Sequence, residues 1–405
     1  MRKLKTSRWV VRPFMKETRK MNRNKTGRII KFALLGVLLP CIIQLTSAET
    51  NQPLVLTAGV LIDGTGTSPI PDVALVISKG RITEVSPKTK MVVPTGSKVI
   101  NLEGGTILPG FINTHVHRAY DEKLLQAWAQ AGVTTVRDLA AYPPYSSFAT
   151  RDSLNKNPLN ARLIVAGPQM TGGFVPPGYP SSVFISTVEQ ARVEADRILN
   201  EGADQLKIML ESNWDNRVML ESVARAITET AHRRDKKVSA HISLSRDIER
   251  ALNVGVDDLA HMVVDDLPDE LIKRIVKAGI YWIPTIELWK GLGMDTHVHG
   301  NLGRFARAGG KVALGTDFQG AFFQFELGMP LKEMLWMQEA GMSPSEIIIA
   351  ATKNAAEVCG IGQELGTLEP GKIADILVID GDPLQDLANL SKVRLVIKEG
   401  VVIRQ

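Results

Sequence analysis

The chain has 405 residues, enough for a sizeable core in one large α/β barrel or in two or three domains. Its formal charge of +5 is misleading: residues 1–48 hold 12 of the 48 Lys and Arg and one of the 43 Asp and Glu, leaving 36 basic against 42 acidic side chains beyond them. That balance excludes nucleic acid as a partner, and with Cys41 and Cys359 as the two cysteines no disulfide framework is available.

The basic start leads into "IIKFALLGVLLPCIIQLTSAET", an apolar stretch closed by small residues with Thr46 and Ala48 at cleavage-like positions. This is the anatomy of a secretory signal peptide over residues 1–48. Its uninterrupted apolar run, Phe32 to Ile43, is 12 residues, short of the roughly 20 that a spanning helix needs. Export to the periplasm or the medium is therefore expected, with an uncleaved membrane anchor as the alternative. A start at Met21 gives a more ordinary basic region. Cys41 leaves with the signal, so the mature chain must be stabilised by burial.

Residues 53–108 read as short strands broken by turns, as in "LVLTAGVLIDG" and "ALVISKGRITEV". Residues 362–405 have the same style and end in a hairpin with Glu399 and Gly400 at its turn. Joined, the two sets predict one small composite β-sandwich domain built from both ends of the mature chain. Between them, residues 109–361 show eight apolar runs: "GFINTHVH", "GVTTVRDLA", "ARLIVAG", "DQLKIML", "KVSAHIS", "DDLAHM", "IYWIPTI" and "KVALGTD". Amphipathic segments such as "VEQARVEADRILNEG", "MLESVARAITETAHRR" and "PDELIKRIVKAG" separate them. The fold class predicted is α/β, a (β/α)8 barrel of the TIM type, in preference to an open doubly wound sheet.

Several of these runs carry a polar residue that an apolar strand should not hold. They are His115 and His117 on the first, Lys207 on the fourth, His241 on the fifth, His261 on the sixth and Asp317 on the eighth. A lone histidine in a strand is usually a hydrogen-bonded core residue, but barrel strands bring their carboxyl ends to one rim, where these six can converge. Strand alternation puts His115 and His117 on one face, so both imidazoles can reach one cation at about 2.0 to 2.1 Å. Lys207 stands among Leu206, Ile208, Met209 and Leu210, where an ammonium is costly to desolvate. Reaction with carbon dioxide would turn it into a carbamate, an anionic ligand with two oxygens; the bland reading is a lysine that snorkels to the barrel mouth or pairs with Asp204.

With "ILPGFINTHVH", the strand-four lysine, the histidines of strands five and six, "GTD", "ATKNAAEVCGI" and "GTLEPGKIADILVID", the chain resembles the amidohydrolase superfamily from residue 53 onward. It is most similar to the imidazolonepropionase-like and Xaa-Pro dipeptidase-like members, and Lys207 points to the binuclear, dipeptidase-like side. Asn113 stands where an Asp is common. The resemblance implies that His115, His117 and Asp317 hold one metal, that His241 and His261 hold the other, and that carboxylated Lys207 bridges them. Oxygen and nitrogen donors without thiolate suit two Zn²⁺ ions.

The activity implied is hydrolysis of an amide C–N bond in a small molecule, a dipeptide or N-acyl amino acid, with Asp317 moving the proton of the attacking water. Cyclic amides, lactones and phosphotriesters are the alternative substrates, and a non-catalytic scaffold is the non-enzymatic one. Rim residues Arg118, Tyr120 and Tyr145 are the substrate-contact candidates, and a homo-oligomer is compatible with the sequence. A second "THVH", Thr296 to His299, lies in the Gly-broken "LWKGLGMDTHVHGNLG" and is expected to be a loop outside the metal site.

Overall fold

The computed structural model describes residues 52–140, 147–173, 182–211, 218–321 and 323–405. The signal-peptide segment 1–48 and Tyr145 lie outside the described residues. Four strands come first: β1 (Leu54–Leu61), β2 (Ile70–Ser78), β3 (Arg81–Pro87) and β4 (Lys98–Pro109). Gly110 alone separates β4 from β5 (Phe111–Val116), the first strand of the central parallel set. There follow α1 (Glu122–Gln130), β6 (Val133–Asp138), α2 (Ser147–Leu154), β7 (Arg162–Val165), β8 (Gln169–Thr171), β9 (Ser182–Phe184), α3 (Val188–Asn200) and β10 (Leu206–Met209). Strict alternation continues with α4 (Glu221–His232), β11 (Val238–His241), α5 (Ser245–Val254), β12 (Asp258–Ala260), α6 (Asp269–Ala278) and β13 (Tyr281–Ile283). Then come α7 (Ile286–Leu292), α8 (Val298–Arg307), β14 (Lys311–Val312), α9 (Leu331–Glu339), α10 (Pro344–Ala351) and α11 (Lys353–Val358). The last strands are β15 (Ile376–Asp380), β16 (Val393–Lys398) and β17 (Val401–Arg404).

The central parallel strands form two hydrogen-bonded runs, β5-β6-β7 and β14-β13-β12-β11-β10-β8-β9. Backbone bonds close both seams. At one, Ala166 N–H donates to Asp138 and Asp204 N–H to Val165, so β7 and β8 act as a single wall interrupted at Gly167 and Pro168. Proline has no N–H to donate, and Gly167 adopts φ +72°, which explains the break. At the other seam, Thr114 N–H donates to Leu314, Asp317 N–H to His115, and His117 N–H to Phe318. The parallel strands therefore close into the barrel that the eight runs predict.

The helices follow from their apolar faces. In α6, Leu271, Ile272 and Ile275 are buried and Gly279 ends the helix in the left-handed conformation. In α3, Ala191, Ala195, Ile198 and Leu199 face inward, and they share one core with Leu206 and Ile208 of β10. Lys207 lies between those two residues, so strand alternation turns it into the barrel.

The two ends of the described chain make one mixed sheet of order β17-β16-β15-β4-β1-β2-β3. Strand β4 is its keystone, parallel to β1 and antiparallel to β15. The sheet bends back on itself: Ile82 of β3 bonds Lys372 and Gly371, and Leu56, Leu75, Ile107, Ile376 and Ile397 share one apolar cluster. The turns at Gly80 and Gly400 meet there, where a Cβ on Gly400 would fall 2.7 Å from the Gly80 Cα. Glu399 and Gly400 both take positive φ, as a two-residue hairpin turn requires.

Candidate metal centre

The metal-ligating candidates lie at the carboxyl ends of the barrel strands. His115 lies near the end of β5 and His117 directly follows it, and each Nε2 lies 2.9 Å from Oδ1 of Asp317, which follows the eighth wall. One donor atom from each of the three residues falls within 4.8 Å of the others, and all three side chains are buried. On the neighbouring walls His241 Nδ1 and His261 Nε2 are 3.0 Å apart. The two groups adjoin: the His115 and His261 rings have centroids 4.8 Å apart, and those of His241 and His261 are 4.4 Å apart.

Lys207 Nζ is buried beside them and, among the described residues, has no hydrogen-bond partner, as is the case for Nδ1 of His115 and of His117. Burial pulls the Lys207 amine down to about 7, with the Asp258 and Asp317 carboxylates opposing and Arg137 assisting. Burial likewise holds His115 and His261 well below the ordinary imidazole range. For His117 burial is outweighed by the Asp317 carboxylate, and its pKa rises; for Asp317 burial is outweighed by His115 and His117, and its pKa falls well below the usual range. Buried imidazoles converging on one carboxylate, beside an uncharged-prone amine, form a donor set that fits divalent metal.

The rim backbone is unusual at these residues. His261 and Asp317 adopt φ of +76° and +60°, and Arg118 and Thr285 adopt +56° and +48°. Non-glycine residues pay for this conformation, which persists where surrounding bonds over-determine it. Gly315 and Gly320 give the needed room, because a Cβ on Gly315 would press on the His115 Cβ at 2.9 Å and one on Gly320 would overlap the Asp317 carboxylate.

Outer partners fix the donors. Thr285 Oγ1 lies 2.8 Å from His261 Nδ1, and the Trp282 indole donates to the His261 carbonyl. The Trp289 ring packs edge-on against His261 at 5.8 Å between centroids. Glu211, two residues past β10, takes His241 Nε2 at 3.0 Å and the Ser243 hydroxyl at 2.7 Å. Asp138, at the end of β6, accepts the Ala119 and Ala140 amides, and burial raises its pKa to about 6. Asn113 does not face the donors: its amide donates to Thr316 Oγ1 and its oxygen accepts from the His115 and Thr316 amides, stitching the first wall to the eighth.

Beneath this layer Arg137 is wholly buried, paired with Asp258 at 3.0 and 3.2 Å and bonded to Gln205 and the Thr114 carbonyl. Ser239 completes the group on Asp258. Glu211, Thr285, Asp138 and this pair were not singled out in the sequence. Arg137 carries a weaker form of the signal that singled out Lys207, a charge on a buried strand, whereas Asp258 opens its strand beside Asp257.

Of the substrate-contact candidates, Arg118 is exposed beside His117 and Tyr120 is half-buried two residues on. The second "THVH" is not a loop. It starts α8, with His297 exposed at the N-cap and His299 3.9 Å from Glu339, and the buried spacing of Val298, Leu302 and Phe305 explains the helix. Neither histidine belongs to the donor cluster found among the described residues.

Comparison with known proteins agrees with this geometry. Ochratoxinase of Aspergillus niger is 25% identical over 419 aligned residues, covering 85% of this chain and 84% of that protein. A solved Xaa-Pro dipeptidase with bound methionine in its active site superposes with a TM-score of 0.75 at 22% identity, covering 87% of this chain and all of that one. A solved amidohydrolase gives 0.74 at 26% identity, again over 87% of this chain and all of the other. Residues 106–403 match the amidohydrolase family, and the chain belongs to that family of metal-dependent hydrolases.

Proposed function

We propose that the protein is an exported binuclear hydrolase that cleaves an amide C–N bond in a dipeptide or N-acyl amino acid. The observation that carries this reading is Lys207 Nζ, buried beside the four imidazoles and the Asp317 carboxylate and, among the described residues, without a hydrogen-bond partner. His115, His117 and Asp317 would hold one divalent ion, His241 and His261 the other, and Lys207 in carboxylated form would offer an oxygen to each. Zn²⁺ suits these donors. When bound, two such ions activate water at neutral pH and polarise the scissile carbonyl.

The chain's own residues supply the remainder. Asp317 is buried, and its low pKa keeps it ionised, ready to take the proton of the attacking water and deliver it to the leaving nitrogen. His115 and His117 orient that carboxylate through its Oδ1. Arg118, exposed beside His117, would meet a substrate carboxylate, and Tyr120 would line the same mouth. The likeness to a Xaa-Pro dipeptidase supports the dipeptide class, and the apolar segment ahead of residue 49 supports export.

The test is elemental mass spectrometry of protein lacking residues 1–48, produced with zinc and bicarbonate, followed by a panel of dipeptides, N-acyl amino acids and lactones. Two ions per chain with turnover of dipeptides or N-acyl amino acids are expected. One ion per chain, or turnover confined to lactones, would overturn the reading.

A further inference from the structure

The imidazole of His241 has both nitrogens engaged, and its outer partner decides which one carries hydrogen. Nε2 faces Glu211 Oε2 at 3.0 Å, while Nδ1 faces His261 Nε2 at 3.0 Å. An ionised carboxylate only accepts hydrogen bonds, so Nε2 must be the protonated nitrogen and Nδ1 must present its lone pair inward. Glu211 is itself fixed: its other oxygen takes the Ser243 hydroxyl at 2.7 Å, and its side chain is 5% exposed. Lys207 and Glu211 thus leave the same strand end four residues apart, one inside the donor cluster and the other behind it.

We propose that Glu211 is a positioning residue for the second metal position, locking His241 as the Nε2–H tautomer so that Nδ1, beside His261 Nε2, can ligate. Among the described residues, His261 has the neutral hydroxyl of Thr285 behind it, at 2.8 Å. The negative charge behind His241 therefore favours the second position, because among the described residues His115 and His117 have no partner on Nδ1. A carboxylate behind a ligating histidine raises its basicity, and losing one weakens metal binding by about 10- to 100-fold. The inference rests on the two-ion reading given above.

The experiment titrates Zn²⁺ into metal-free wild-type, Glu211→Gln and Ser243→Ala proteins against a chromophoric chelator, with melting curves recorded before zinc is added. Expected for Glu211→Gln is an unchanged first step, a second step weaker by about 10- to 100-fold, and a metal-free melting point within a few degrees of wild type. Ser243→Ala, which leaves the Glu211–His241 bond in place, should weaken the second step less. Equal second steps in wild type and Glu211→Gln would overturn the proposal, as would equal weakening of both steps. A wild-type chain that takes one Zn²⁺ would instead sink the two-ion reading itself. Should Glu211→Gln not fold, imidazole nitrogen NMR of the zinc-loaded wild type decides: protonation of His241 at Nε2 is expected, and at Nδ1 it would refute the assignment.

Discussion

Single residues in this barrel are informative where a charge sits in an apolar strand. Lys207 was legible as such, because its neighbours in sequence are all hydrophobic. Arg137 and Asp258 each adjoin another charged residue and stand out less, and their pairing is set by the positions of β6 and β12 in the barrel, which sequence spacing does not reveal. Removing one member of a buried pair strands the other, at a cost of about 3–5 kcal/mol. Arg137→Met should therefore lower stability by that order in chemical denaturation, and a change under about 1 kcal/mol would show that Asp258 finds another partner. Asp317→Asn should keep the fold and metal content measurable while lowering kcat by at least about 100-fold, the range of general acid–base contributions. Near-normal turnover by that variant would remove Asp317 from the proton's path.

At the level of elements, α7 shows how a short helix is held by chemistry outside it. The amides of Ile286 and Glu287 donate to the two oxygens of Glu333, from α9, at 2.7 and 2.8 Å. This anchors the start of α7 directly after Thr285, the residue behind His261. Burial raises the Glu333 pKa from 4.5 to about 8. Between those values the folded chain keeps a proton that the unfolded chain has lost, so this group makes stability fall as pH rises through the window, by at most about 1.4 kcal/mol per pH unit. Glu333→Gln should flatten that part of the stability profile between pH 5 and 8, measured by denaturant unfolding; an unaltered slope would assign it to another group. In α8, helical spacing of three buried residues overrode the glycines that suggested a loop. Replacing both His297 and His299 should leave the wild-type metal content intact, and loss of zinc in elemental analysis would contradict the choice of the first histidine pair.

Across the whole molecule, the mixed sheet and the barrel depend on both ends of the described chain. Leu377 of β15 packs where Gly132 leaves space, and Arg162 of the barrel pairs with Asp375 and Glu399 beside the terminal strands. The Arg404 guanidinium also donates to the carbonyl of Gln130 at the end of α1. A chain ending at residue 361 would lose β15, β16 and β17 and expose one edge of β4, whose Ile107 and Leu108 are fully buried. Such a truncation should fail to accumulate as soluble protein with a cooperative melting transition. Recovery of a cooperative melt near that of the whole chain would show that the barrel stands alone.

The barrel, the composite sheet and the six donor candidates are legible in the sequence, because hydrophobic periodicity and misplaced polar residues are local signals. What stands behind those donors comes from contacts made across the closed barrel. Glu211, Thr285 and Asp138 read as ordinary rim polar residues, since nothing in their flanking sequence states which imidazole or amide they meet. That depends on the register of adjacent strands and on the left-handed backbone at His261, Thr285 and Asp317. The reason is physical: a parallel strand chooses its neighbour through backbone bonds that every residue can make, so partners across the barrel are fixed only once it closes.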